Sequence, residues 1–221
     1  MFDSAIINMI IMGIGETLLM VIVSTIFGYI FGLPLGVALF ISDKDGIKPN
    51  SKLYRVLDFI VNIGRSIPFL ILLILIIPFT RLLVGKSYGT MATIVPLTVS
   101  AIPFIGRMVE SSLKEVDKGV IEAAQSMGAS TIQIITKVLL VEARPSLING
   151  ATICLGTIVG YSAMAGTVGG GGLGDIAIRY GYYRYQTDIM IVTVVIIVIL
   201  VQLFQFVGNK LSLKLDKRKN I

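Results

Sequence analysis

The stretch TLLMVIVSTIFGYIFGLPLGVALFIS, Thr17 to Ser42, runs for 26 residues without a charge. A membrane-crossing helix needs about 20 apolar residues, so this run is long enough on its own. Working outward, Ser66–Thr80, Ser87–Gly106, Pro145–Gly174 and Ile189–Asn209 are also uncharged, with 15, 20, 30 and 21 residues. The first of these lengthens when Phe59–Gly64 is joined to it across Arg65. Ala123–Thr136 is too short and too polar, holding Gln125, Ser126, Ser130, Thr131 and Gln133. Five spans are expected, at about 16–42, 57–80, 88–110, 146–168 and 188–209.

Composition agrees. Of 221 residues, 55% are hydrophobic and 14% charged, and mean hydropathy is +0.89. Soluble chains carry about 25% charged residues, and this one has too few to cover a surface in water. The fold class is therefore all-α integral membrane, a single transmembrane domain over 1–221 with no soluble enzyme domain. There is no His, and Cys154 is the one cysteine. A disulfide within the chain, His-based metal or haem chemistry and a His-dependent triad are excluded. No metal site and no nucleic-acid partner are expected.

Charge placement sets orientation. With the C-terminus inside, 14 of the 19 Lys and Arg fall in cytoplasmic segments, including Lys210, Lys214, Lys217, Arg218 and Lys219. Arg81, Lys86, Arg179 and Arg184 fall outside, and Arg65 stays within a span. The positive-inside rule then puts the N-terminus outside and the C-terminus in the cytoplasm. Met1–Glu16, acidic at Asp3 and without a basic residue, fits the outside and lacks the basic region of a secretory signal.

The connection between spans three and four is long for a helix–helix loop. Within about 118–142, Gly119–Met127 reads as a short helix stopped by Gly128, a residue suited to a left-handed cap. Ser130 and Gln133 match a capping box and start a second helix. Ile132, Ile135, Val138 and Leu139 give it one apolar face. A short helix with small residues on one side suits docking in a partner's groove.

Glu122-Ala123-Ala124, three residues, then Gly128 and Ala129 resembles the EAA loop of ABC-importer permeases. Val138–Val141 departs from that family's later Ile-x-Leu-Pro, with Pro145 four residues further on. Tyr161–Asp175, Ile178–Tyr182, Asn62–Phe69 and Ile94–Val99 resemble methionine-importer permeases, and the likeness covers about residues 15–210. The resemblance implies a homodimer of ten helices in a bacterial inner membrane. It also implies a separate ATPase subunit in two copies holding ATP and Mg, and an external binding lipoprotein that delivers methionine. The loop is then the coupling helix, seated in a cleft of the ATPase.

Other motifs read more simply. Gly169-x-Gly171-x-x-Gly174 has the letters of a dinucleotide fingerprint but follows a membrane helix, not a strand. Gly85-Lys86-Ser87 lacks the first Gly of a P-loop, which would fall at Thr80. Five Gly in 169–174 cannot hold a helix cheaply, so the fourth span ends there, either as a flexible turn beside an outer gate or as a tight turn alone. Pro68, Pro78, Pro96 and Pro103 interrupt spans two and three. Met164, with Tyr161, Ser162 and Gly166 around it, reads as a gate at a dimer axis or as ordinary helix packing. Arg65, with Asp58 seven positions earlier or with Glu110, reads as a charge pair at the inner mouth or as a snorkelling cation.

Two other functions fit the span count: a permease of the same architecture for another amino acid or small solute, and a channel or scaffold without an ATPase. No acidic ring for a filter stands in the spans, which disfavours a channel.

Overall fold

The computed structural model describes residues 3–216; Lys217, Arg218 and Lys219 of the basic tail lie outside them. The described residues form helices and connecting turns only. They are α1 (Ser4–Ser42), α2 (Ser51–Ser66), α3 (Phe69–Leu75), α4 (Ile77–Val84), α5 (Thr90–Lys114) and α6 (Lys118–Ser126). After these come α7 (Thr131–Gln133), a π-helical turn Ile134–Leu139, α8 (Leu140–Glu142), α9 (Arg144–Ala165), α10 (Gly172–Ile176), a π-turn Ala177–Tyr182 and α11 (Thr187–Leu215).

Among the described residues four helices are long and apolar enough to cross a membrane: α1, α5, α9 with its 3-10 extension to Val168, and α11. A fifth span exists if α2 and α3 count as one broken span. Pro68 makes the break. It has no N–H to donate and drives the residue before it out of helical geometry; its own ψ is 133°. A second break at Ile76 precedes Pro78, which opens α4. By contrast α5 runs unbroken through Pro96 and Pro103. Helix α1 begins at Ser4, well before the expected position 16. Ala5 to Gly15 carries no charge and adds three turns to the helix.

The chain divides into two compact units. The first gathers the described residues of Met1–Gly28 with Ile67–Ala101 and Cys154–Phe204. In it Ser24 Oγ donates to the Ile94 carbonyl at 3.3 Å, joining α1 to α5. Met20, Leu97 and Leu173 form its fully buried centre. The second gathers Tyr29–Ser66, Ile102–Ile153 and the described residues of Gln205–Ile221. There α1 and α5 meet backbone to backbone: a Cβ on Gly36 would lie within 3 Å of the Gly106 carbonyl and Val109. Small residues four apart on α1, Gly32 and Gly36, permit this approach, as in other membrane helix pairs. Only 11% of the apolar window of α11 is buried within the chain, so that helix is left to lipid or to a partner.

Candidate functional site

Helix α6 is capped at both ends, at Gly128 as its sequence predicts and at Asp117, which the sequence reading did not single out. The Asp117 carboxylate accepts from the Gly119 amide at 2.7 Å. At the other end Gly128 takes φ +78°, the left-handed region. Its amide donates to the Gln125 carbonyl at 2.9 Å, and the Ala129 amide donates to the Ala124 carbonyl at 3.1 Å. No atom stands within 4 Å of where a Gly128 Cβ would lie, so this glycine is required by φ alone. The capping box forms: Ser130 N–H donates to Gln133 Oε1 at 2.8 Å, and Gln133 N–H donates to Ser130 Oγ at 3.4 Å.

Ile121 and Ala124 turn inward, while Glu122 and Ala123 face out. Val120, Ala123 and Met127, spaced three and four apart, make one exposed apolar stripe, with Met127 81% exposed. The second helix differs from expectation. Ile132 is exposed, and the buried pair is Ile134 and Leu139. The π-turn between them explains the shift, since widening the helical repeat brings residues five apart onto one face.

Of the residues read as a gate, Tyr161 is half-buried and Met164 is exposed. Tyr161 stacks flat on Phe69 with ring centroids 4.6 Å apart. Met164, one turn on, is half exposed. Ser162 and Gly166 do not join them. Ser162 is buried and donates to the Val159 carbonyl at 2.8 Å. Gly166 is buried against the Gly174–Asp175 backbone, which leaves no room for a Cβ. The glycine turn that follows is left-handed at Gly169, Gly171 and Gly172. It is cradled rather than loose: Thr93 Oγ1 donates to the Gly170 carbonyl at 3.1 Å, and Glu16 Oε2 accepts from the Gly172 amide at 2.6 Å.

The expected charge pair of Arg65 with Asp58 or Glu110 does not form. Arg65 ends α2 on an exposed face and makes no ion pair among the described residues. Its position at a helix C-terminus, where backbone carbonyls point outward, suits a cation without a carboxylate. Asp58 instead pairs with Arg107, on α5. Arg107 also donates to Glu110 at 2.7 Å and to Asn62 Oδ1 at 3.0 Å. Glu110 is buried; it accepts from Lys114 Nζ at 2.8 Å and from the Tyr54 hydroxyl at 3.1 Å. Lys114 reaches Asp43 at 2.8 Å, and this hydrogen bond holds the Asp43 carboxyl below its ordinary value. One network thus ties the ends of α1, α2 and α5. Its sequence signal is Arg107, Glu110 and Lys114 at positions i, i+3 and i+7 of one helix face.

The described residues thus hold four helices of membrane length, a bent α2–α3 pair and a capped helix pair before α9. The family model for the binding-protein-dependent transport system inner membrane component matches residues 28–220. The chain belongs to that family, a multi-pass membrane family. The probable D-methionine transport system permease protein of Vibrio cholerae is 56% identical to it over 203 residues, covering 92% of this chain and 90% of that one. The D-methionine transport system permease protein of Escherichia coli K12 is 56% identical over 158 residues, covering 72% and 73%. A solved structure of the MetNI methionine ABC transporter in inward-facing conformations matches with a TM-score of 0.96 at 51% identity, covering 98% of this chain and 100% of that one. A crystal structure of an amino acid ABC transporter with histidines shares the fold, with a TM-score of 0.76 at 17% identity, over 94% of each chain.

Proposed function

We propose that this chain is the permease subunit of an ATP-driven methionine importer in a bacterial inner membrane. The observation that carries the reading is likeness over nearly the whole chain, to a methionine transport permease in sequence and to a methionine ABC transporter in structure. Two copies pair to form the conduit, since five helices alone make a poor one. The N-terminus lies outside and the C-terminus in the cytoplasm, supported by the distribution of Lys and Arg.

Helix α6 docks on the ATPase. Its outward stripe of Val120, Ala123 and Met127 offers apolar contact, and Glu122 offers an acceptor to a basic group. ATP and Mg belong to that partner chain. ATP binding draws the two ATPases together and moves α6, which opens the outer mouth, and hydrolysis returns the mouth inward. A zwitterion with an apolar side chain needs no buried counter-charge to pass, so selection rests mainly with the external binding protein. The test is uptake into liposomes by this chain co-purified with its ATPase, with methionine competed by other amino acids. ATP-dependent uptake that unlabelled methionine suppresses is expected. ATP-independent flux, or an ATPase that binds a chain lacking residues 118–142 as well as the full one, overturns it.

A further inference from the structure

We propose that Glu16 is a positioning residue for transport: its carboxylate latches α1 to the glycine turn, so that α1 and the junction of α9 with α10 move as one body. The inference rests on the importer reading above. Glu16 is the one charge in the 39 residues of α1. A charge within an apolar helix is costly unless it is partnered. Its partner is backbone. Glu16 Oε2 accepts from the Gly172 amide at 2.6 Å, and Thr17 Oγ1 accepts from the Leu173 amide at 2.9 Å. These are the first two amides of α10, which its own sequence leaves uncapped because the capping position is Gly171.

A Ser or Asp at 171 would cap the helix locally, but residue 171 is left-handed at φ +82° and its Cβ would lie 2.7 Å from Thr90 Oγ1. The cap therefore comes from another helix, 156 positions away. Gly13, Glu16, Thr17 and Met20, at i, i+3, i+4 and i+7, all turn the same face of α1 toward Gly172–Ile176. On the far side Gly89, the residue before α5, donates its amide to the Gly169 carbonyl at 2.9 Å. A displaced α1 must carry the start of α10 with it or leave two amides unpaired.

The experiment uses the full chain with its ATPase in liposomes, as wild type, Glu16→Ala and Glu16→Gln. Gln keeps an acceptor oxygen and Ala does not. Two quantities are read: methionine taken up per ATP hydrolysed, and amide hydrogen exchange of Gly172 and Leu173. Glu16→Ala is expected to raise exchange at Gly172 about tenfold and to cut uptake per ATP at least about fivefold, while Glu16→Gln stays within about twofold of wild type. A merely structural defect lowers uptake and hydrolysis together and leaves their ratio intact. An assembled Glu16→Ala complex with a wild-type ratio overturns the latch, as does Glu16→Gln behaving like Glu16→Ala. Where Glu16→Ala does not assemble, Glu16→Met decides, because it keeps the length of the side chain and loses the acceptor oxygens; a wild-type ratio there overturns the proposal. Wild type that carries no methionine defeats the substrate reading instead, and exchange at Gly172 still judges the latch: unaltered exchange in Glu16→Ala overturns it.

Discussion

The Arg107 guanidinium reaches the Glu110 carboxylate at 2.7 Å across one turn of α5, and Glu110 is only 1% exposed. Arg107, Lys114 and Tyr54 all donate to this buried carboxylate. Removing it leaves two cations without their shared partner. Both cations are partly exposed and keep a second carboxylate, Asp58 for Arg107 and Asp43 for Lys114, so the loss is that of a buried acceptor's hydrogen bonds, about 1–3 kcal/mol. Glu110→Ala should therefore lower the apparent unfolding midpoint of the detergent-solubilised chain steeply. Arg65→Ala, which removes an exposed cation without an ion-pair partner, should shift it by under about 0.5 kcal/mol. Equal effects of the two substitutions would falsify the assignment of the network to Arg107.

The Asp43–Lys114 link carries a pH signature. The hydrogen bond from Lys114 holds the folded-state pKa of Asp43 below its ordinary 3.8. The group thus binds a proton more readily when unfolded, and its contribution is fully present above pH 3.8. It is lost as pH falls below that value through the lowered pKa. Asp43→Asn should destabilise the chain at pH 7, and the difference from wild type should shrink as the unfolding measurement is taken to lower pH. A difference that stays constant through that window counts against the link.

Gly128 tests the coupling segment. Its φ of +78° costs any other L-residue about 1–2 kcal/mol, but the space beside it is open. Gly128→Ala should keep the ATPase bound and most of the uptake. Gly128→Pro fixes φ near −65° and removes the amide that donates to Gln125. It should leave the ATPase bound and uncouple hydrolysis from uptake, as should Glu122→Lys if its outward carboxylate meets a basic partner group. Normal uptake by Gly128→Pro or Glu122→Lys with the ATPase bound defeats the docking reading.

Much of this was legible in the residues, for physical reasons that also mark the limits. Span positions follow from runs without charge, and the caps of α6 and α7 follow from Gly128, Ser130 and Gln133, because both signals are local. Contacts between helices are not local. Period alone places Asp58 and Arg65 two turns apart on α2, yet nothing in that helix says that Arg107 of α5 stands opposite Asp58. Glu16 reads in the sequence as the edge of a span, because a charge normally marks one. Its partner is a pair of amides 156 residues away, and backbone leaves no letter in a sequence. The five glycines of 169–174 leave a flexible turn and a tight turn both open in the sequence, since glycine frees the chain and also permits close approach. In the fold the same missing Cβ serves close approach, with Thr17, Thr90 and Thr93 packed where side chains would be.

Met164 is the remaining test, and its exposure makes the test clean. The side chain is half exposed in the single chain, one turn beyond the Tyr161–Phe69 stack that fixes this face of α9. Shortening it removes little internal packing, so Met164→Ala should assemble and unfold like wild type. If two copies close the conduit at a dimer axis, the same substitution opens a gap there. Solute leak through the reconstituted complex, or basal ATP hydrolysis without binding protein, should then rise several-fold. Tyr161→Leu removes the stack, worth about 0.5–1.5 kcal/mol beyond its area, and should raise leak less, because Met164 remains. Wild-type leak and wild-type basal hydrolysis in Met164→Ala would mean that this residue packs against a neighbouring helix and closes nothing.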